Sequence, residues 1–437
     1  ALAAGLLFGS IPLVQLLRQD LRGMLGAETR GGTADRKALR VRSGLVTAQV
    51  ALAFLLLIGA GLMLASFRAA LAVDPGFQPE AVWTGLVVLP TARYEDGPAR
   101  IRFTETMLDE LRSVPGVTSA AVTSQVPFGN NSSASVILPE GYLPPPGESI
   151  LSPFQSFVSE GYFETMGIPL REGRTFTPAD GVDGARVLVI DEWLANRYYP
   201  NGDALGRRMV WGTIPGQATE ENHYTIVGVV GSIKQNDLTT SDAEHVGAYY
   251  IPYRSVPTSA VTLVVRGEGR TEALTAGIRD RVQRLDPEMP VYGIETMSGR
   301  IDESLVTRRA PMVLLLGFSG IALLLAVVGI YGVLAYLVAQ QTREMGIRIA
   351  LGSSAREIFL LVVRRGALVT GIGLAAGGIG AVAGGRLVQS LLYGVQPLEP
   401  AVLGVVALTL GLVALAACAV PAWQATRIDP VRALVGE

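Results

Sequence analysis

The chain has 437 residues, of which 49% are apolar and 17% are charged, and its formal net charge is −2. This apolar share, with a mean hydropathy of +0.38, indicates a mixed protein, neither wholly soluble nor wholly membrane helix. The charge balance gives no indication of nucleic-acid binding. A single cysteine, Cys418, excludes an intrachain disulfide, and two histidines, His223 and His245, exclude a histidine-rich metal site.

The sequence contains no P-loop. Its two lysines, Lys37 and Lys234, are not followed by Ser or Thr, and a P-loop needs Gly-Lys-Ser/Thr to hold the β- and γ-phosphates of a nucleotide. Any ATP-driven activity therefore requires an ATPase on another chain.

The first residues are typical of the end of a membrane helix. Residues 1–17 carry no charge and no starting Met, and the first basic residue, Arg18, follows the apolar run, unlike in a signal peptide. We therefore expect a fragment that begins with the end of a preceding transmembrane helix at 1–17, followed by a cytoplasmic linker at 18–42.

Four further apolar runs are long enough to span a membrane, since a span needs about 20 residues. We predict transmembrane helices at 43–67, about 312–340, about 358–385 and about 400–422. Seven basic residues lie in 18–42 and five in 343–365, but only one lies in 386–399. Because basic residues favour the inner side, 68–309 is predicted to be extracytoplasmic and 343–365 cytoplasmic.

The long outer segment, 68–309, has the pattern of an α+β domain. It is predicted to contain strands at 82–89, 117–126, 224–230, 261–266 and 291–295, and helices at 98–114 and 271–285. Two βαβ-like halves indicate a split ferredoxin-like lobe, and an insert at about 127–222 indicates a second lobe. The loop at 128–133 is a candidate contact surface or a solvated loop.

The two ends of the chain share a short repeat. Residues 12–25, PLVQLLRQDLRGML, match 421–434, PAWQATRIDPVRAL, at five identical positions with a constant offset. Each segment follows an apolar run. This pattern indicates a duplication in which the chain is the second unit, preceded by the last helix of the first.

Several stretches in order resemble one family. They are VDPGF at 73–77, SEGYFETMGIPLREGRTF at 159–176, VIDEWLANRYYP at 189–200, TIVGVVG at 225–231, GIYGVLAYLVAQQTREMGIRIALGSS at 329–354 and the closing PAWQATRIDPVRAL. Together they resemble the MacB/FtsX/LolE-type permeases of ABC transporters, and the repeat resembles their tandem-duplicated acidobacterial form. The resemblance implies an FtsX-like permease domain at 310–437 and a MacB-like core domain at 68–309 in the periplasm.

The resemblance also implies how the chain works. A separate ABC ATPase moves inner segments, and the outer domain shifts in response, for efflux or export of an unidentified substrate. The alternative is an FtsX-like signalling protein that regulates an outer partner such as a cell-wall hydrolase. Implied partners are another permease half or a second copy, a periplasmic adaptor and membrane lipids, in the cell inner membrane. No cofactor, metal or catalytic residue is expected.

The stretch 340–352, QQTREMGIRIALG, lies between two apolar runs and is amphipathic. Gly352 is expected to end a short helix, and a capping box at 354–357 to start the next one. By the resemblance this stretch is the ATPase-coupling segment; a membrane-surface helix is the alternative. The residues of the predicted coupling segment are Arg343, Glu344, Met345, Ile347, Arg348, Leu351 and Gly352.

The third full span is rich in glycine. Gly373 and Gly377, and Gly380 and Gly384, form two GxxxG pairs that allow close approach of another helix. That helix belongs either to the same chain or to a partner permease half. Cys418, deep in the last span, is expected to be a small packing residue.

Overall fold

A computed structural model of the chain describes residues 31–129, 132–147, 149–181, 186–213, 217–240, 245–389 and 392–428. The chain divides into two compact units. The outer unit is Arg68–Ala310, and the membrane unit comprises the residues up to Phe67 and from Pro311 onward. The predicted helix end at 1–17, the whole first repeat segment at 12–25 and residues 429–434 of the second lie outside the described residues.

The elements alternate strands and helices in the outer unit and are helical in the membrane unit. In chain order they are α1 (Gly31–Leu71), β1 (Val82–Val88), α2 (Gly97–Arg112), β2 (Val117–Thr123), β3 (Ile137–Pro139), β4 (Phe154–Val158), α3 (Tyr162–Met166), β5 (Leu170–Gly173), β6 (Val187–Asp191), α4 (Glu192–Tyr198), β7 (Arg208–Trp211), β8 (His223–Val230), β9 (Ala248–Pro252), β10 (Ala260–Gly267), α5 (Thr271–Leu285), β11 (Val291–Thr296), α6 (Met297–Ser304), α7 (Val306–Gln340), α8 (Thr342–Ala350), α9 (Ala355–Val388) and α10 (Pro400–Ala425).

The first lobe of the outer unit has the predicted ferredoxin-like arrangement. Its strands are antiparallel neighbours in the order β11-β1-β10-β2. The connections are β1-α2-β2 and β10-α5-β11, which are the two split halves. Both helices bury apolar residues at helical spacing in the core, namely Met107, Leu108 and Leu111 of α2, and Leu274, Ile278 and Val282 of α5.

The second lobe, residues 124–259 between β2 and β10, continues the same sheet. Strands β2 and β4 are joined by a single pair of residues, Thr123 with Val158. The strand order then runs β4-β9-β6-β8-β7-β3, with β5 beside β8. This lobe extends beyond the predicted end of the insert at residue 222. The reason is that β8 pairs with β5, β6 and β7, and β9 pairs with β4 and β6, so both belong to the second lobe.

The described residues of the membrane unit include four helices long and apolar enough to cross a membrane: α1, α7, α9 and α10. They share an apolar core that includes Val50 and Phe54 of α1, Ile330 and Leu334 of α7, and Leu410 of α10. Helix α1 covers Gly31–Leu71, so residues 31–42 of the predicted linker are helical. This stretch contains no proline and is rich in good helix formers, so nothing in it stops the helix.

Candidate coupling segment

Helix α8 is a short helix between α7 and α9 with a well-defined C-terminal end. At its C-terminal end Gly352 has φ +96°, a conformation that favours glycine. The Gly352 N–H donates to the Ile349 carbonyl and the Ser353 N–H to the Arg348 carbonyl, both at 3.0 Å. These two bonds form a Schellman motif, which satisfies carbonyls that the helix end leaves free.

The start of α9 is fixed by a capping box. The Glu357 N–H donates to Ser354 Oγ at 3.3 Å, and the Ser354 N–H donates to Glu357 Oε2 at 3.1 Å. Reciprocal bonds of this kind satisfy two free donors at the helix start. Helix α8 is therefore a separate element, since one motif ends it and another starts α9.

The two faces of α8 have different environments. Met345 is only 3% exposed and belongs to the core of the membrane unit, together with Ile358 and Val362 of α9. On the opposite face Ile347 is 41% exposed and Leu351, at the end of the helix, is 82% exposed. An exposed leucine next to an anchored face gives α8 a surface on which another molecule can pack.

Polar contacts lie on the exposed face and at the α7 end of the segment. Glu344 accepts a hydrogen bond from Arg348 Nη2 at 2.7 Å, the i, i+4 pair with the acid first. At the end of α7 the Gln341 side-chain oxygen accepts a bond from Arg365 of α9. This bond joins residues 24 positions apart, so no local sequence pattern indicated it.

The structure thus separates the predicted coupling residues. Glu344, Ile347, Arg348, Leu351 and Gly352 are exposed. Met345 is buried and is not available for direct contact, because it holds α8 against the bundle. The side chain of Arg343 lies outside the described residues.

Three of the four predicted packing glycines face α1 of the same chain. A Cβ on Gly373 would lie 2.6 Å from Val50 Cγ1, and one on Gly377 would lie 2.7 Å from the Ala51 carbonyl oxygen. A Cβ on Gly380 would lie 2.9 Å from Leu55 Cδ1. These distances are shorter than carbon side chains tolerate, so glycine permits the contact between α9 and α1. Gly384 has open space around it among the described residues.

Cys418 is a buried packing residue between helices of the membrane unit. A Cβ on Gly366 of α9 would lie only 2.3 Å from its sulfur atom. The thiol therefore fills the space that Gly366 leaves between α9 and α10.

The histidines of the second lobe do not meet each other in a site. His223 Nε2 lies 3.4 Å from Glu140, and His245 Nε2 lies 3.5 Å from the buried Asp191. Ser232 donates to the same Asp191 carboxylate at 3.0 Å. The carboxylate is thus between Ser and His, whereas nucleophilic catalysis needs His beside Ser.

Asp191 instead has a structural role at the end of β6. Its other oxygen accepts the Leu194 N–H at 2.9 Å and caps α4. Among the described residues, no group of three or more His, Cys, Asp or Glu side chains is placed to hold a metal ion.

The structure combines a bundle of membrane helices with a two-lobed outer domain, the architecture expected of a permease with an extracytoplasmic domain. Two family models match the chain, the MacB-like periplasmic core domain at residues 43–281 and the FtsX-like permease C-terminal domain at residues 316–430. The chain belongs to the MacB/FtsX family of ABC transporter permeases. It is an inner-membrane protein with a periplasmic domain.

Curated relatives include two export proteins. The chain is 26% identical over 278 residues to the pyoverdine export ATP-binding/permease protein PvdT of Pseudomonas syringae pv. tomato, covering 62% of this chain and 40% of that one. It is 28% identical over 301 residues to the macrolide export ATP-binding/permease protein MacB of Neisseria gonorrhoeae, covering 63% and 42%. The chain thus spans about two fifths of the full length of each of these relatives.

A solved structure is also similar. The periplasmic region of MacB from Actinobacillus actinomycetemcomitans matches 54% of this chain and 97% of its own, at 15% identity and a TM-score of 0.35.

Proposed function

We propose that the chain is the permease part of a MacB-like ABC export system and that α8 is its contact with a separate cytoplasmic ATPase. The observation that carries this proposal is the exposed pair Ile347 and Leu351 on a helix whose other face is anchored by Met345. Because α8 is packed against the bundle, a displacement of a partner bound to its apolar surface can be transmitted to α7 and α9.

The location of α8 follows from chain continuity. The outer unit follows the C-terminal end of α1 and precedes the N-terminal end of α7. If both helices span once, the opposite end of α7 is cytoplasmic, and α8 follows it directly. The five basic residues at 343–365 agree with this side.

The chain acts in this proposal as a transmitter of force and not as an enzyme. The 437 residues contain no P-loop, and the proposal therefore assigns ATP hydrolysis to a separate ATPase subunit. The curated relatives named above are described as ATP-binding/permease proteins, which supports the pairing of such a permease with an ATPase. The other proposed partners are a second permease half or copy, which Gly384 would face, and a periplasmic adaptor.

The test is copurification of the ATPase from native membranes with the variant Leu351→Asp. A carboxylate in a desolvated apolar contact is costly, so the amount of copurified ATPase should fall about tenfold or more. Leu143→Asp is the matched control, because Leu143 is 75% exposed in the outer unit, far from α8 in sequence. It should leave the yield of ATPase unchanged.

Met345→Asp is unsuitable for this test, because it places a charge in the core and would disturb the bundle itself. Undiminished ATPase recovery with Leu351→Asp, and with the double variant that adds Ile347→Asp, would show that α8 is not the docking element. In that case α8 would be a membrane-surface helix.

A further inference from the structure

A groove of about 290 Å³ lies in the membrane unit between α1, α7 and α9. Its walls are mainly aliphatic, with Val333 and Leu337 from α7 and Ile372 from α9. Its polar lining residues are few, and Thr47 already donates its hydroxyl to the Ser43 carbonyl at 2.9 Å. Arg365 is the one charged side chain among the described residues that line the groove.

The groove has the depth and direction of a lipid chain. On α9 its lining runs from Arg365 to Ile372, a distance of about 10 Å at the helical rise of 1.5 Å per residue. Arg365 directly precedes the uncharged run of α9 at 366–385, on the side of that run nearer α8, and Ile372 lies nearer its middle. The groove therefore begins at the inner surface and enters about a third of the roughly 30 Å hydrocarbon core.

The inner end of the groove carries positive charge without a carboxylate partner. Arg365 donates to the neutral Gln341 side chain, and the Arg42 guanidinium lies 4.3 Å from the ring centre of Tyr336. Among the described residues neither arginine forms an ion pair, whereas Arg348 nearby is paired with Glu344. Both guanidiniums are thus held at the inner end of α7 with donors left for an anion.

We propose that this groove binds an anionic phospholipid of the inner leaflet, with one acyl chain between α1, α7 and α9 and its phosphate bound by Arg365 and Arg42. An aliphatic groove suits the chain, and two uncompensated guanidiniums suit the phosphate. The bound lipid fills the space beside the α7–α8 junction. This site does not depend on the proposed ATPase contact.

Native mass spectrometry of the full chain in detergent tests the site, with phosphatidylglycerol as the probe and phosphatidylcholine as its zwitterionic counterpart. The wild type should retain one phosphatidylglycerol in preference to phosphatidylcholine. Arg365→Gln should weaken this retention about fivefold, the effect of one basic residue at an anionic surface. Arg364→Gln is the control, since Arg364 is exposed one residue away and does not line the groove.

A second pair of variants tests the acyl chain. Ile372→Trp fills the groove and should abolish retention of the lipid, while Ile379→Trp, two turns farther along an exposed part of α9, should not. Melting curves show whether each variant is folded. If Ile372→Trp does not fold, the comparison of Arg365→Gln with Arg364→Gln decides the test.

Three results would overturn the proposal. They are equal retention of phosphatidylcholine, equal losses in Arg365→Gln and Arg364→Gln, and a lipid-free dimer that Ile372→Trp dissociates. The last result would mean that a second copy of the chain occupies the groove.

Discussion

Gly76 forms the tight turn by which the chain passes from α1 into the outer unit. Its φ is +83°, and its N–H donates to Asp74 Oδ1 at 2.9 Å. A Cβ here would lie 2.3 Å from the Ser232 carbonyl oxygen. The Lys234 N–H also donates to the Pro75 carbonyl at 2.9 Å, so the turn is fixed to the loop after β8.

The first prediction concerns this turn. Gly76→Ala adds both left-handed strain and a backbone clash, so the outer unit should lose about 2–4 kcal/mol of unfolding free energy. Gly206→Ala is the control: its φ is +78°, but its Cβ would meet open space, so strain alone should cost about 1 kcal/mol. Urea unfolding followed by tryptophan fluorescence measures both. Equal losses would show that the contact with Ser232 has no energetic role.

The pair of Arg174 and Asp180 gives the outer unit a dependence on pH. Arg174 donates two hydrogen bonds to the Asp180 carboxylate, at 2.7 and 2.9 Å. These bonds, with others from Thr177, outweigh the opposing effect of burial and hold the pKa of Asp180 below its ordinary value of 3.8. The pair therefore stabilises the fold above pH 3.8, and this stability is lost as pH falls through the lowered pKa.

The second prediction follows from this sign. Lowering the pH below 3.8 should lower the melting temperature of the wild type more than that of Asp180→Asn, which has no such proton to bind. Asp280→Asn, at an exposed carboxylate of α5, should keep the wild-type pH profile. Melting temperatures at pH 7 and across the acid range test this. If the melting temperatures of the wild type and Asp180→Asn fell in parallel with pH, the Arg174–Asp180 pair would not be the source of the acid sensitivity.

At the scale of elements, α9 packs on α1 through glycine, and at Gly377 the nearest neighbour is the backbone of α1. A side chain there would meet the Ala51 carbonyl oxygen, which is backbone, and the ring of Phe54 at 3.0 Å. The carbonyl oxygen cannot withdraw without moving α1. The third prediction is that Gly377→Leu separates the helices and destabilises the membrane unit by about 1–3 kcal/mol or more.

Gly371→Leu is the matched control for that variant. It lies on the same helix, exposed, with open space around its position, so the longer side chain should be tolerated. Thermal stability in detergent, measured by size-exclusion chromatography after heating, compares the two. If Gly377→Leu were as stable as Gly371→Leu, the contact with α1 would not be close in the folded protein.

Local signals in the sequence predicted the ends of helices well. The Ser-x-x-Glu pattern at 354–357 and Gly352 are both used as expected, because such caps depend on residues three or four positions apart. The burial of Met345 could not be predicted in the same way. An amphipathic helix shows two apolar edges, and only the packing of α9 against it decides which edge is covered.

For the whole molecule, the sequence predicted the membrane spans and the ferredoxin-like lobe, but not the extent of the second lobe. Strand β8 follows the insert directly and has the apolar alternation of any strand, so nothing local assigns it to a lobe. Its partners do: β6, in parallel, and β5 and β7, all from within the second lobe. Pairing between strands distant in sequence is a property of the fold and is invisible to local periodicity.

The fourth prediction tests the orientation of the entire chain. Leu351 and Leu143 are both highly exposed, and the single native cysteine, Cys418, is buried, so background labelling should be low. In spheroplasts, a membrane-impermeant maleimide should label Leu143→Cys on the outer unit but not Leu351→Cys on α8. After lysis and removal of bound proteins with urea it should label both, because only then does the reagent reach the cytoplasmic face of α8. Labelling of Leu351→Cys in intact spheroplasts would place α8 outside and would remove the basis for an ATPase contact there.

The same variant also tests whether a partner covers α8. If Leu351→Cys is protected after lysis and becomes labelled once copurifying proteins are stripped with urea, a partner covers the exposed face of this helix, as coupling requires.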